Sequence, residues 1–228
     1  MTSVPLAVAI RHEDVLRFLG YPERHRPRPR VEGLVRALSV EAGSLVAARG
    51  VYRRLPVEAA SDVGLEPMEA AGLVIGLVTI GDAIERRASD LADAGNVTAA
   101  VILDAIGSVA VEEAANRPSA CAVSDRRRHP GPPTPSAERD KAPAISCRIS
   151  PGYGRWPLTA QPKLFEQLPH AAIAVALLPS LLMVPRKSIS FAMWMGADAR
   201  PIAGLSGCAH CELDPCLYRR APPDCERP

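Results

Sequence analysis

Arg148-Ile149-Ser150-Pro151-Gly152-Tyr153-Gly154 and, further along, Met183-Val184-Pro185-Arg186-Lys187-Ser188-Ile189-Ser190 are the two stretches from which the fold and function of this chain are predicted. In the first, an arginine precedes a short loop in which Gly152 allows the backbone to approach a ligand closely. The guanidinium of Arg148 suits a carboxylate, and the ring of Tyr153 can cover an apolar or cationic group. The pattern predicts a site for a small zwitterion, with a structural salt bridge from Arg148 as the alternative.

The composition is that of an ordinary globular protein. The chain has 228 residues, of which 47% are hydrophobic, so we expect residues 1–228 to form a single domain with a buried core. The formal net charge of +2 provides no dominant basic field for nucleic acid. The longest late apolar run, residues 171–184, is interrupted at Pro179 and is shorter than the about 20 residues that cross a bilayer. No signal peptide is predicted either, so the expected location is the cytoplasm, without membrane contact.

Hydrophobic periodicity predicts strands and helices before and after the arginine loop. Residues 73–80 are nearly all apolar and rich in branched side chains, as in a strand buried on both faces. Asn96 is a suitable cap for a helix that runs to about residue 116. Further strands are expected at residues 5–11, 51–57, 172–178 and 187–195, and further helices from His12, over 31–48, after Gly81-Asp82 and from Pro162.

Residues 117–143 interrupt this pattern. They include Arg126-Arg127-Arg128-His129-Pro130-Gly131-Pro132-Pro133 and almost no apolar side chains. Proline and dense charge disfavour regular, buried structure. The segment is therefore expected to be a flexible, Pro/Arg-rich loop.

Cysteines crowd the C-terminal tail, residues 205–228. The spacing Cys208-x-x-Cys211-x-x-x-x-Cys216 could hold zinc or an iron–sulfur cluster through thiolates. Cys225 or His210 would be the fourth ligand. A tail of free, reduced thiols is the alternative, because the pattern lacks the second Cys-x-x-Cys of a zinc ribbon.

Together the arginine loop, the Pro185 to Ser190 segment and the cysteine tail resemble the activation (reactivation) domain of cobalamin-dependent methionine synthase, in its free-standing form. The likeness extends from about Val31 to Arg220. It implies an α+β fold, in which an antiparallel β-sheet is flanked by helices. It also implies that the ligand is S-adenosylmethionine.

The resemblance assigns roles to individual residues. Arg148 would hold the carboxylate of S-adenosylmethionine, while Ser150, Gly152 and Tyr153 pack against the rest of the ligand. Glu112, on the helix before the loop, would lie near the ammonium group, where a carboxylate also favours the positive sulfonium. A solvated helix face is the alternative for Glu112, because Glu113 is adjacent.

The implied function is accessory. The chain would support reductive methylation, and so reactivation, of a corrinoid-dependent methyltransferase such as methionine synthase. Cobalamin would be carried by that partner, and an electron donor such as a flavodoxin would also be needed. No catalytic side chain is predicted, because placement of the methyl group is the task. The alternatives are a cysteine-rich metal or redox module and an inactive relative.

Overall fold

A computed structural model describes residues 4–21, 26–67, 70–128, 146, 148–153 and 156–195. Its centre is a four-stranded antiparallel sheet with the spatial order β1-β2-β3-β6. The strands are β1 (Val4–Pro5), β2 (Arg49–Leu55), β3 (Gly72–Thr79) and β6 (Ser188–Met195).

Strand β3 lies between β2 and β6 and every one of its residues is buried. Its run of Leu, Val and Ile, interrupted by Gly76, predicts this, because both faces of a central strand need apolar cover. Alternation in β6 sends Phe191 and Met193 to one core, and Ala192 and Trp194 to the other. The sheet therefore separates two hydrophobic cores.

Helices cover one face of the sheet. They are α1 (His12–Phe18), α2 (Pro29–Leu45), α3 (Ala83–Asp93) and α4 (Val97–Arg128). The other face is covered by three 3₁₀ turns, the short helix α5 (Gln161–Glu166) and a hairpin of β4 (Ala176–Leu177) and β5 (Met183–Val184). The expected α+β fold, an antiparallel sheet flanked by helices, is confirmed. Within the described ranges, no helix has both the length and the hydropathy needed to span a membrane.

Three expected elements had boundaries that were wrong by more than three residues. Helix α4 continues to Arg128, so residues 117–128, which were expected to belong to the loop, are helical although Pro118 lies among them; the alanines and arginines of this segment favour a helix. The rest of the expected loop, residues 129–143, lies outside the described part of the chain. The strand expected at 5–11 is only Val4–Pro5; Leu6, Val8 and Ile10 beyond it pack against the core beneath the helices. In 172–178, a 3₁₀ turn at His170–Ile173 replaces the first half of the expected strand.

Lys187 joins the start of β6 to α3 and α4. Its Nζ lies 2.8 Å from Asp104 Oδ1 and 2.9 Å from Ser108 Oγ. Its backbone N–H donates to Glu85 Oε1 at 2.6 Å. Because the Lys187 side chain is only 13% exposed, its ammonium depends on these partners. This position indicates a structural role for Lys187.

We expect Lys187→Met to lower the free energy of unfolding by about 1–2 kcal/mol, because it keeps the apolar stem and removes the charged donor. Urea denaturation followed by circular dichroism measures the change. Arg186→Met is the matched control, since the Arg186 side chain is 65% exposed and reaches Glu85 only at 3.4 Å. Equal losses in the two variants would contradict the structural role of Lys187.

Candidate functional site

The arginine loop begins as an extra edge on the sheet. Ile149 and Ala192 exchange two backbone hydrogen bonds, of 3.0 and 2.8 Å, across a bridge to β6. Ser146 adds a hydrogen bond from its N–H to the Trp194 carbonyl at 2.9 Å. The residues just before the turn are therefore held by the sheet, which gives Arg148 a defined backbone position.

A tight turn follows at Ser150–Tyr153. The Tyr153 N–H donates to the Ser150 carbonyl at 3.1 Å, and Gly152 has a φ of 94°. Proline at the second position, glycine with positive φ at the third and this hydrogen bond are the features of a type II turn. Any other residue at 152 would be strained in that conformation, which is the local reason for the Pro-Gly pair.

Trp156 anchors the end of the loop. Its indole Nε1–H donates to the Val63 carbonyl at 2.9 Å, and the residue is 2% exposed. Its own carbonyl accepts from the Gly152 N–H at 2.8 Å, and its N–H donates to the Tyr153 carbonyl at 3.1 Å. One buried side chain thus ties the turn to the core on the face opposite the helices.

Arg148 contacts helix α4. Its Nη2 lies 2.5 Å from Glu112 Oε2, and its Nη1 donates to Asn116 Oδ1 at 3.2 Å. The Arg148 side chain is 7% exposed and that of Glu112 is 30% exposed. A guanidinium this deeply buried requires a partner, and the acid that satisfies it remains accessible to solvent.

The structure therefore brings together Arg148 and Glu112, the residues expected to bind the carboxylate and the ammonium of the ligand. Arg148 and Glu112 are 36 positions apart in sequence, and they form an ion pair. The structural salt bridge considered as the alternative for Arg148 is thus present, and its acid is Glu112. Glu112 lies on a partly exposed face of α4, and its carboxylate is engaged by a buried arginine.

The other expected site residues lie in the turn. Ser150 is half-buried, and Gly152 and Tyr153 are exposed, with 65% of Tyr153 accessible. The cysteines expected to bind a metal, Cys208, Cys211 and Cys216, lie outside the described residues. Among the residues that are described, no group of three or more His, Cys, Asp or Glu side chains could hold a metal ion.

Sequence reasoning missed two contacts of Arg148. Asn116 lies one helical turn after Glu112 and faces the same guanidinium, a spacing that helical periodicity indicates once Glu112 is chosen. The Phe191 ring lies under the guanidinium, with 5.9 Å between its centroid and Arg148 Cζ. No local signal predicts this second contact, because it depends on the pairing of the loop with β6.

Comparison with known proteins gives a likeness of fold. Neither a protein-family model nor a curated protein matches the chain. Among solved structures, the chain is similar to one described as the crystal structure of the MetH reactivation domain bound to AdoHcy. The TM-score is 0.54 and the identity is 14%, over 87% of this chain and 79% of that one. The resemblance that the loop motifs indicated is confirmed at the level of the fold.

Proposed function

We propose that this chain, which has the fold of the MetH reactivation domain, binds S-adenosylmethionine by its amino-acid end. In this proposal it presents the methyl group to a cobalamin that a corrinoid-bearing methyltransferase or methionine synthase modules carry. Support comes from the similar solved structure, which is described as bound to AdoHcy. AdoHcy is S-adenosylhomocysteine, the product that remains when S-adenosylmethionine gives up its methyl group.

The Arg148–Glu112 pair is the observation that carries the proposal. An amino acid has a carboxylate and an ammonium on one carbon atom, and the pair offers a guanidinium and a carboxylate 2.5 Å apart. The charges of the site and of the ligand are therefore complementary at the same spacing. Guanidinium matches carboxylate in shape as well as in charge.

Ligand binding would exchange one internal ion pair for two pairs with the ligand. Breaking a buried pair by removing one partner is costly, about 3–5 kcal/mol, because the other charge is left unpaired. A zwitterion avoids that cost, since its carboxylate takes over Arg148 while its ammonium takes over Glu112. A ligand with only one of the two groups leaves one protein charge unpaired. Selectivity for an intact amino-acid end follows.

The turn would contact the rest of the ligand. Gly152 leaves the backbone bare at the exposed tip of the turn. The exposed ring of Tyr153 can cover a sulfonium, to which an aromatic face is attractive. Ser150 carries a hydroxyl at the start of the same turn. These roles for Ser150, Gly152 and Tyr153 are part of the proposal.

The chain would then contribute placement rather than acid–base chemistry. Repair of a cobalt(II) corrinoid needs one electron from a donor, such as a flavodoxin. It also needs one methyl group from the sulfonium, whose sulfur keeps the bonding electron pair and leaves as S-adenosylhomocysteine. Orientation of reacting groups can lower a barrier by several kcal/mol without a catalytic side chain. We place the protein in the cytoplasm with these partners.

Calorimetric titration tests which ligand the protein binds. We expect S-adenosylmethionine and S-adenosylhomocysteine to bind, and 5′-methylthioadenosine, which lacks the amino and carboxyl groups, to bind at least about tenfold more weakly. The reason is that each hydrogen bond to a charged group contributes about 1.5–3 kcal/mol. Absence of S-adenosylmethionine binding would reject the proposed function. Equal affinity for 5′-methylthioadenosine would reject the assignment of the ion pair to the amino-acid end.

A further inference from the structure

The ring of Phe191 lies over β3 in the middle of the sheet, where Gly76 leaves room for it. Phe191 pairs in register with Gly76 of β3, and it is fully buried. A Cβ added to Gly76 would come within 2.3 Å of Phe191 Cζ and 2.8 Å of both Cε atoms. No side chain other than hydrogen fits there, so the tip of the ring rests directly on the β3 backbone.

The same ring lies against Arg148. The guanidinium carbon of Arg148 is 5.9 Å from the ring centroid, within the range of a cation–π contact. Glu112 and Asn116 approach that guanidinium from helix α4. Arg148 is thus held between a helix that supplies oxygen acceptors and a sheet that supplies an aromatic surface.

We propose that Phe191 is a positioning residue for ligand binding: its ring, laid over Gly76, is a platform that keeps the Arg148 guanidinium in place while its anionic partner changes. This inference rests on the proposed function. Glu112 cannot hold Arg148 during the exchange, because the ligand carboxylate takes its place. The ring and the Asn116 amide oxygen can, and the ring does so without competing with a carboxylate for the N–H donors.

The physical gain is preorganisation. A guanidinium on a long, flexible stem loses rotamer freedom when it is fixed by a ligand, and this loss opposes binding. A platform that already restricts the stem removes part of that cost from binding. Burial already confines the stem of Arg148. The further gain in affinity from the ring is therefore expected to be that of one cation–π contact.

Two changes at Phe191 separate the platform from simple packing. Phe191→Leu removes the ring and keeps an apolar side chain. Incorporation of 2,6-difluorophenylalanine at 191 keeps the ring and weakens its negative face. The 2 and 6 positions lie next to Cβ, away from the ring tip over Gly76, where added atoms would clash. The same two changes at Phe165, which is buried in the other core beside His170, are the matched controls.

We expect S-adenosylmethionine to bind about threefold to tenfold more weakly to Phe191→Leu, and about twofold to fivefold more weakly to the difluorinated protein. Both changes at Phe165 should leave affinity unaltered. Urea denaturation of every variant shows that the proteins compared are folded. A role in packing alone would change the free energy of unfolding and leave the affinity of the folded proteins unaltered. If the wild type binds and both Phe191 variants bind with the same affinity, the platform is overturned and the proposed function stands. If the wild type does not bind, the proposed function and the platform are both rejected.

Discussion

Replacing Trp156 with alanine will lower the free energy of unfolding by about 3–5 kcal/mol, the usual cost of truncating a large buried aromatic side chain. Trp156 is 2% exposed and belongs to the core that includes Leu164 and Trp194. The change also removes the N–H donor of the Val63 carbonyl, and leaving a buried acceptor unsatisfied adds to the loss. Chemical denaturation monitored by circular dichroism measures the difference.

Two further variants divide this loss into its parts. Trp156→Phe keeps most of the apolar surface and removes only the indole N–H, so a loss of about 1–2 kcal/mol is expected. Leu158→Ala, at a neighbouring position that is 46% exposed, should change stability by less than about 0.5 kcal/mol. If Trp156→Ala were no more destabilising than Leu158→Ala, the loop would have another anchor.

Arg148→Ala will weaken S-adenosylmethionine binding by about 1.5–3 kcal/mol, which is roughly tenfold to 150-fold in the dissociation constant. The reason is the loss of the charged partner of the ligand carboxylate. Titration with decarboxylated S-adenosylmethionine adds a sharper measurement. The wild type should prefer the intact ligand, whereas Arg148→Ala should bind the two ligands with similar affinity, because neither then finds a guanidinium.

Arg87→Ala is the control for Arg148→Ala. Arg87 also forms an ion pair with a carboxylate, Glu41, at 2.6 Å, but it joins α3 to α2 rather than the arginine loop to α4. Its removal should leave ligand affinity unchanged. Equal S-adenosylmethionine binding by wild type and Arg148→Ala would show that the Arg148–Glu112 pair is a structural salt bridge only.

Arg148 and Trp156 hold the same loop in different ways. Arg148 ties its start to α4 through Glu112 and Asn116, while Trp156 ties its end to Val63 on the opposite side of the sheet. The turn between them is thus fixed at both ends. A loop restrained in this way loses less entropy when a ligand orders it. The affinity of Trp156→Phe for S-adenosylmethionine should therefore be measured as well.

Part of the site could be predicted from local sequence. The Pro151-Gly152 pair predicts a turn, because proline sets φ at its own position and glycine alone accepts the positive φ that follows. Arginine before such a turn indicates recognition of an anion. Neither fact shows which acid would face Arg148, since Glu112 lies 36 positions before it in the chain.

Elements whose signal is contained in a few consecutive residues are predictable from local sequence. The apolar run of β3 predicts a strand buried on both faces, and Asn96 and the periodicity after it predict the start of α4. Alternation in Ser188–Met195 predicts which side chains of β6 share a face. Such signals are local, because propensity and periodicity act over one or two turns or along one strand.

The contacts between these elements are not predictable in the same way, because they depend on packing in three dimensions. The contact of Glu112 with Arg148 spans 36 positions, and the contact of Phe191 with Gly76 requires the register of β3 against β6. Register and the position of a helix over a sheet are set by the packing of whole faces, in which many small contributions add up. A site assembled from a helix, a strand and a loop is therefore defined by packing rather than by any single motif.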